Sequence, residues 1–306
     1  MRKGRIPFII TFLAPALLLY LVFVLSPFVQ GIQVSFTNWT GFTSNFDYVG
    51  LANYEFLMHS APWWHAVANN IKFLLVLPIG TLVLSLVFAA LLTRGGTGGS
   101  KATLRGSGFY RIVYFFPQVL PVVLVAILFQ FVYSTDGGLL QQTLKLVGID
   151  MLDIIPNGLL GTPGAILWAI AFVAIWAGVG FYMVLFIAGM QQIPRELFEA
   201  AAIDGASRTR MFFSVTLPLL WGHLQVAVVF IATNTLDMFA LLSVMAQNGR
   251  GADWGADVMA TQLYRTAFAG SSQFGLASAM ATLLLVFSLL LAALTFRLTR
   301  RERLEY

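Results

Sequence analysis

The sequence predicts an all-α integral membrane protein with six transmembrane helices. Three observations carry this. The 306 residues are 58% hydrophobic and only 10% charged, with a mean hydropathy of +0.82, whereas a soluble domain carries about 25% charged residues. Six windows, residues 6–29, 71–93, 112–133, 164–190, 219–246 and 275–296, are apolar enough over the roughly 20 residues that cross a core of about 30 Å. Lysine and arginine alternate in density along the connections, as they do in multi-pass chains.

Each window must be helical, because lipid offers no partner to an open backbone. The first follows Arg2, Lys3 and Arg5 and resembles a signal peptide. Its apolar core is too long for one, and no small-residue cleavage site follows cleanly, so it reads as a retained first span. The connection 34–70 is aromatic and amide-rich, with Phe36, Asn38, Trp39, Tyr48, Asn53 and Tyr54, and has no Lys or Arg. Beyond the third window, residues 138–148 read as a short amphipathic helix with Leu139, Leu140, Leu144 and Val147 at helical spacing, suited to the membrane surface. The longest connections are too short to bury a core of their own, so residues 1–306 form a single transmembrane domain.

The basic residues orient it. The N-terminus, the second connection (Arg94, Lys101, Arg105, Arg111), the fourth (Arg195, Arg208, Arg210) and the tail (Arg297, Arg300, Arg301, Arg303) hold 14; Lys72, Lys145, Arg250 and Arg265 on the other side make 4. Both termini and the connection 191–218 therefore face the cytoplasm. Trp39, Trp63, Trp64 and Trp254 fall on the opposite side, as interfacial anchors do.

Several function classes drop out. There is no cysteine for a disulfide, a thiolate site or a nucleophile. His59, His65 and His223 lack metal-ligand spacing, and no Ser/His/Asp set is anchored by a motif, so neither catalytic nor metal residues are expected. Residues 95–103 mimic a phosphate loop, but Ser100 replaces the glycine required before Lys101, and Ala102 replaces the Ser or Thr. Orientation accounts for the basic residues, so the chain meets membrane lipid and no nucleic acid.

The connection 191–218 is the most informative polar stretch. Pro194 suits a helix start, Glu196 and Glu199 favour its positive end, and Ala200–Ala202 propagate it. Gly205 ends it, and Ser207 caps the next helix, from Arg208 to about Thr216, ahead of Pro218. The small Ala200, Ala201 and Ala206 allow close approach by a partner, with Glu199 and Asp204 able to make charge-assisted contacts. By composition alone this is equally an ordinary connecting loop.

Glu199-Ala200-Ala201 with Gly205, and Leu217-Pro218 beyond, resemble the "EAA" loop of bacterial ABC-importer permeases. Val49-Gly50-Leu51-Ala52-Asn53-Tyr54 resembles the outer signature of their carbohydrate-uptake branch, which includes the maltose and glycerol-phosphate permeases. Leu236-Asp237, the run Leu263-Tyr264-Arg265-Thr266-Ala267-Phe268, and Gly275-Leu276-Ala277-Ser278-Ala279 resemble its fifth-to-sixth-span region. Residues 246–252 match the family's "TGGGP" stretch only weakly. The resemblance implies a type I ABC importer (MetI-like) fold in a bacterial cytoplasmic membrane. It implies a second homologous permease, two cytosolic ATPase subunits that bind ATP and Mg, and an extracytoplasmic sugar-binding protein. It places Glu199, Ala200, Ala201, Asp204, Gly205 and Ala206 at the ATPase contact.

Asp237 is the one acid well inside a predicted span, with Asn234 three residues before it. An intramembrane carboxylate faces protein or water, so the pair either hydrogen-bonds solute hydroxyls or ties the fifth span to a neighbour. Trp176, Phe181 and Tyr182 lie near Gly178 and Gly180, which suits a sugar path or close helix packing. The family resemblance makes Trp176, Phe181, Asn234, Asp237 and Met238 candidates for the substrate path; Gln118, Gln130 and Tyr133 are weaker ones. The function implied is a permease passing a sugar or oligosaccharide. The alternatives are another polar solute such as a polyol or glycerol phosphate, a self-sufficient secondary transporter, or an intramembrane enzyme using Asp237.

Overall fold

The computed structural model describes residues 5–42, 46–93, 106–246, 255–269 and 272–298. The phosphate-loop mimic at 95–103, most of the 246–252 stretch, Trp254 and the arginines beyond 298 lie outside them. Among the described residues the structure is helical, with one isolated antiparallel bridge between Thr37 and Tyr48. In chain order the helices are α1 (Arg5–Tyr20), α2 (Ser26–Val34), α3 (Ala52–His59), α4 (Ala61–Leu92), α5 (Ser107–Val119), α6 (Val122–Tyr133), α7 (Leu139–Leu146), α8 (Met151–Ile154) and α9 (Gly158–Gly161). Then come α10 (Ala165–Gln191), α11 (Arg195–Ile203), α12 (Arg208–Met211), α13 (Leu217–Leu219), α14 (Trp221–Leu236), α15 (Phe239–Met245), α16 (Met259–Phe268) and α17 (Phe274–Leu298).

Four continuous stretches are long and apolar enough to cross a membrane: Thr11–Val34, Ala61–Leu92, Ala165–Gln191 and Phe274–Thr295. Two more arise if bent pairs count as one span each, Ser107–Val119 with Val122–Tyr133 at 100° and Arg208–Leu219 with Trp221–Leu236 at 69°. The windows at 112–133 and 219–246, read as single helices from hydropathy, are thus broken. At the first break Leu120 adopts φ −74° and ψ 137°. Pro121 demands this, because its ring excludes the helical conformation from the residue before it.

The chain divides into two compact units. The first comprises Met1–Trp64 and Met259–Phe287. A π-helical turn, Leu21–Leu25, joins α1 to α2, and no residue in the most apolar window of Thr11–Val34 is buried. Beyond α2 the chain is fastened by the outer signature. Asn53 Nδ2 donates to the carbonyls of Ser35 (2.8 Å) and Thr37 (2.9 Å), and the Tyr54 and Ser35 hydroxyls share a hydrogen bond of 2.6 Å. The start of α17 closes the clip: Gly275 N–H donates to Trp39 O at 2.9 Å, and a Cβ at Gly275 would strike the Thr37 carbonyl. In this unit Asn53, Tyr54 and Gly275 serve the fold.

The second unit comprises His65–Val258 and Ser288–Tyr306. Its centre is α10, half of whose most apolar window is buried. Small residues let neighbours approach closely, and buried hydroxyls bridge helices, as in membrane bundles generally. Gly180 lies so close to α5 that a Cβ there would strike the Tyr114 carbonyl. Ser85 Oγ on α4 donates to Val179 O at 2.9 Å, and the Phe88 and Tyr114 rings stack at 4.6 Å.

Candidate functional site

Two features stand out in the second unit, a folded connecting loop and a cavity. In the loop, Pro194 precedes α11 with φ −56° and ψ 137°, and Glu196 sits in the first turn, where the helix dipole favours negative charge. The helix ends in a Schellman motif: Gly205 N–H donates to Ala202 O (3.0 Å) and Ala206 N–H to Ala201 O (2.9 Å). Gly205 has φ +72°, while a Cβ there would meet nothing within 4 Å. Backbone conformation alone therefore calls for glycine. Gly205→Ala is expected to cost about 1 kcal/mol, read as a several-fold rise in hydrogen exchange at the Gly205 and Ala206 amides; unchanged exchange would contradict this account.

Ser207 Oγ then accepts from Arg210 N–H at 3.3 Å and opens α12. A π-helical turn, Phe212–Thr216, continues it. Beneath the two helices, Ile193, Phe198 and Met211 form a buried cluster, against which Ala201, Ala206, Val215 and Leu219 pack. Ala201 and Ala206 thus face inward, and their small size lets the loop fold tightly. Glu199, Ala200 and Asp204 are exposed. Positions 196, 199, 200 and 203 share one helical face, which ends in Ile203 at 87% exposure. Sequence reading passed over Phe198 and Ile203; the spacing of Phe198, Ala201 and Met211 was the available signal.

The cavity, of about 540 Å³, is lined from α4, both sides of the α5–α6 bend, α10, α14 and the chain beyond it. Phe181, Asn234, Asp237 and Met238 meet there, joined by Thr81, Gln118, Tyr182 and Thr235. Trp176 does not line it; its ring packs on Phe129 at 5.1 Å. The two other polar residues of the third window bind helices: Gln130 Nε2 donates to Val244 O and the Tyr133 hydroxyl to Ala169 O at 3.4 Å. The two glycines divide likewise. Gly178 faces the cavity, whereas Gly180 serves the α5 contact.

Asp237 does not lie within a helix. It follows the last residue of α14, with φ −102° and ψ 41°, and its N–H donates to Asn234 O at 3.2 Å. The break has a side-chain support that the sequence did not reveal. Asn70, buried on α4, donates to Thr235 O at 3.4 Å, serving a carbonyl at a helix end that has lost its helical partner. Its neighbour Asn69 donates to Asp257 O at 2.9 Å and also to Gly255 O. The pair thus ties α4 both to the end of α14 and to the segment before α16.

Residues 97–304 match the family described as the inner membrane component of binding-protein-dependent transport systems. The chain belongs to that family. It is therefore a transport component of the membrane rather than an enzyme, and a binding protein is part of its system. Curated relatives agree along nearly the full length. The diacetylchitobiose uptake system permease protein NgcF of Streptomyces coelicolor is 37% identical over 297 residues, covering 97% of this chain and 83% of the relative. The multiple sugar-binding transport system permease protein MsmF of Streptococcus mutans is 34% identical, covering 95% and 94%. Among solved structures, a chain of a bacterial ABC transporter that imports the acidic polysaccharide alginate superposes with a TM-score of 0.81 at 20% identity, covering 98% of this chain and 97% of that one. That likeness identifies the fold of this inner-membrane component as an ABC importer permease fold.

Proposed function

We propose that the chain forms the translocation path for a neutral sugar or oligosaccharide, delivered by an extracytoplasmic binding protein and driven by ATP hydrolysed on partner subunits. The observation that carries this is the convergence of Phe181, Asn234, Asp237 and Met238 on one cavity. About 540 Å³ lies within the range that holds a small organic ligand. An aromatic ring with amide, hydroxyl and carboxyl groups offers a pyranose both stacking and hydrogen bonds. Among the described lining residues there is one acid, Asp237, and no Lys, Arg or His. The adjoining C-terminal end of α14 is the negative end of its dipole. Both disfavour an anionic solute, which argues against glycerol phosphate and for an uncharged one. The sugar systems named for the 37% and 34% identical relatives support the same class.

In this reading the exposed stripe of α11 docks on a cytosolic ATPase. Glu199, Ala200 and Asp204 make the contact, while Ala201, Gly205 and Ala206 hold the lever's shape. A second, homologous permease completes the path, two ATPase subunits bind ATP and Mg, and both termini face the cytoplasm.

The test is reconstitution of the complex in proteoliposomes, with uptake of a panel of labelled neutral di- to pentasaccharides. Uptake should require ATP and the binding protein together. Transport by this chain alone on an ion gradient would replace this reading with a secondary transporter. Full uptake after a Gly/Ser linker replaces residues 199–205 would remove the docking role.

A further inference from the structure

The helix α7 lies between the α6 and α10 spans, at the end of α10 opposite the connecting loop. Its burial departs from a simple polar-out pattern. Gln141 is turned inward at 5% exposure and Leu140 and Leu144 are half-buried, while Leu139 and Leu146 stand out at 65% and 87%. Residues 139, 143 and 146 fall on one helical face, and Val147 continues it at 70% exposure. The polar groups on and beside that face are satisfied internally. Thr143 Oγ1 donates to Leu139 O at 2.7 Å, Gln142 Nε2 to Gly137 O at 3.1 Å, and Lys145 pairs with Asp150 at 3.1 Å. The Asp150 carboxyl is held below the usual carboxylate range, first by the Leu152 N–H and then by Lys145, so the pair presents compensated charge. Ile149 and Ile154 are also exposed nearby. Eight residues before α7 begins, Phe131 on α6 is 71% exposed on a span of a membrane protein, so the span that leads into the helix also turns an apolar side chain outward.

An apolar outer face whose polar side chains are each tied down by an internal bond suits a medium that supplies few hydrogen bonds. We propose that α7 is an interfacial foot that lays Leu139, Leu146 and Val147 into the headgroup–acyl boundary of the bilayer. The occupant of this face is phospholipid. A water-facing helix would turn Gln141 outward and Leu139 and Leu146 inward; here Gln141 is buried and those two leucines stand out. The foot fixes the height of the α6 and α10 ends relative to the membrane surface.

The chain lacks cysteine, so Leu146→Cys carries a single nitroxide in the full complex in phosphatidylcholine proteoliposomes. Collisions with dissolved oxygen should exceed those with a water-soluble nickel chelate several-fold, and Asp153→Cys should show the opposite ratio. A label at 146 open to the nickel chelate would overturn the proposal, because the face would then be aqueous. A label shielded from both probes would overturn it too, because the face would then be covered by protein. Leu139→Cys gives a second reading should one variant fail to assemble. None of these outcomes depends on which solute the complex carries.

Discussion

Glu199→Arg is expected to leave the chain folded in the membrane and to reduce ATP-driven uptake by more than about tenfold, the equivalent of about 1.4 kcal/mol at the docking surface. Glu199 is exposed and makes no side-chain hydrogen bond or ion pair among the described residues, so its replacement removes nothing from the loop. The buried cluster of Ile193, Phe198 and Met211 lies on the opposite face of α11 and is untouched. What changes is the charge on the stripe that ends at Ile203. In the proposed docking, a partner surface that receives a carboxylate then meets a guanidinium, and misplaced charge is costly at an interface. Two measurements separate docking from folding: co-purification of the ATPase should be lost, while the monodisperse chain should elute in detergent as the unaltered protein does. Undiminished uptake with the ATPase still bound would mean that this face of α11 carries no load.

Gly180→Val is expected to have the largest effect on the fold. A side chain at this position collides with the Tyr114 carbonyl and the backbone of Phe115. Backbone cannot step aside as a side-chain tip can, so the cost exceeds the ~1–3 kcal/mol usual for overpacking. Separating α10 from α5 would also dismantle one wall of the cavity. The control is two residues away. A Cβ at Gly178 would meet Thr81 Cγ2 at 3.7 Å and Tyr182 Cε2 at 3.9 Å, ordinary contacts, so Gly178→Ala should yield folded protein. Size-exclusion profiles after detergent extraction distinguish the two, with an aggregated or absent Gly180→Val peak beside a normal Gly178→Ala peak.

The hydropathy windows located the helices because burial in lipid imposes apolarity over a fixed length. They did not reveal the breaks, since hydropathy is indifferent to a bend between apolar residues. Pro121 was the legible sign of one; the break at Asp237 is met by Asn70, which donates to Thr235 O from 165 positions away in sequence, and no local pattern announces that. The loop was legible down to its caps, because Gly205 and Ser207 act through neighbouring backbone groups. The inward turn of Ala201 and Ala206 was not, because it depends on Met211 across the turn. Phe181, Asn234, Asp237 and Met238 meet at the cavity while Trp176 packs on Phe129, a distinction set by helix rotation rather than by residue type. In α7, periodicity pointed to the apolar residues, and only the fold showed that Gln141 is on the inside.

Two of the helix interruptions, at Leu120 and at Asp237–Met238, lie on the cavity wall. Interrupted backbone is tolerated at membrane depth only where protein or water can answer its polar groups. In the proposed reading of this cavity as the solute path, polar backbone groups at the breaks favour water in it. Leak-tightness against protons and small ions then comes from helices closing at one end before the other opens, so a mutation that loosened both ends at once is expected to dissipate ion gradients before it impairs solute uptake.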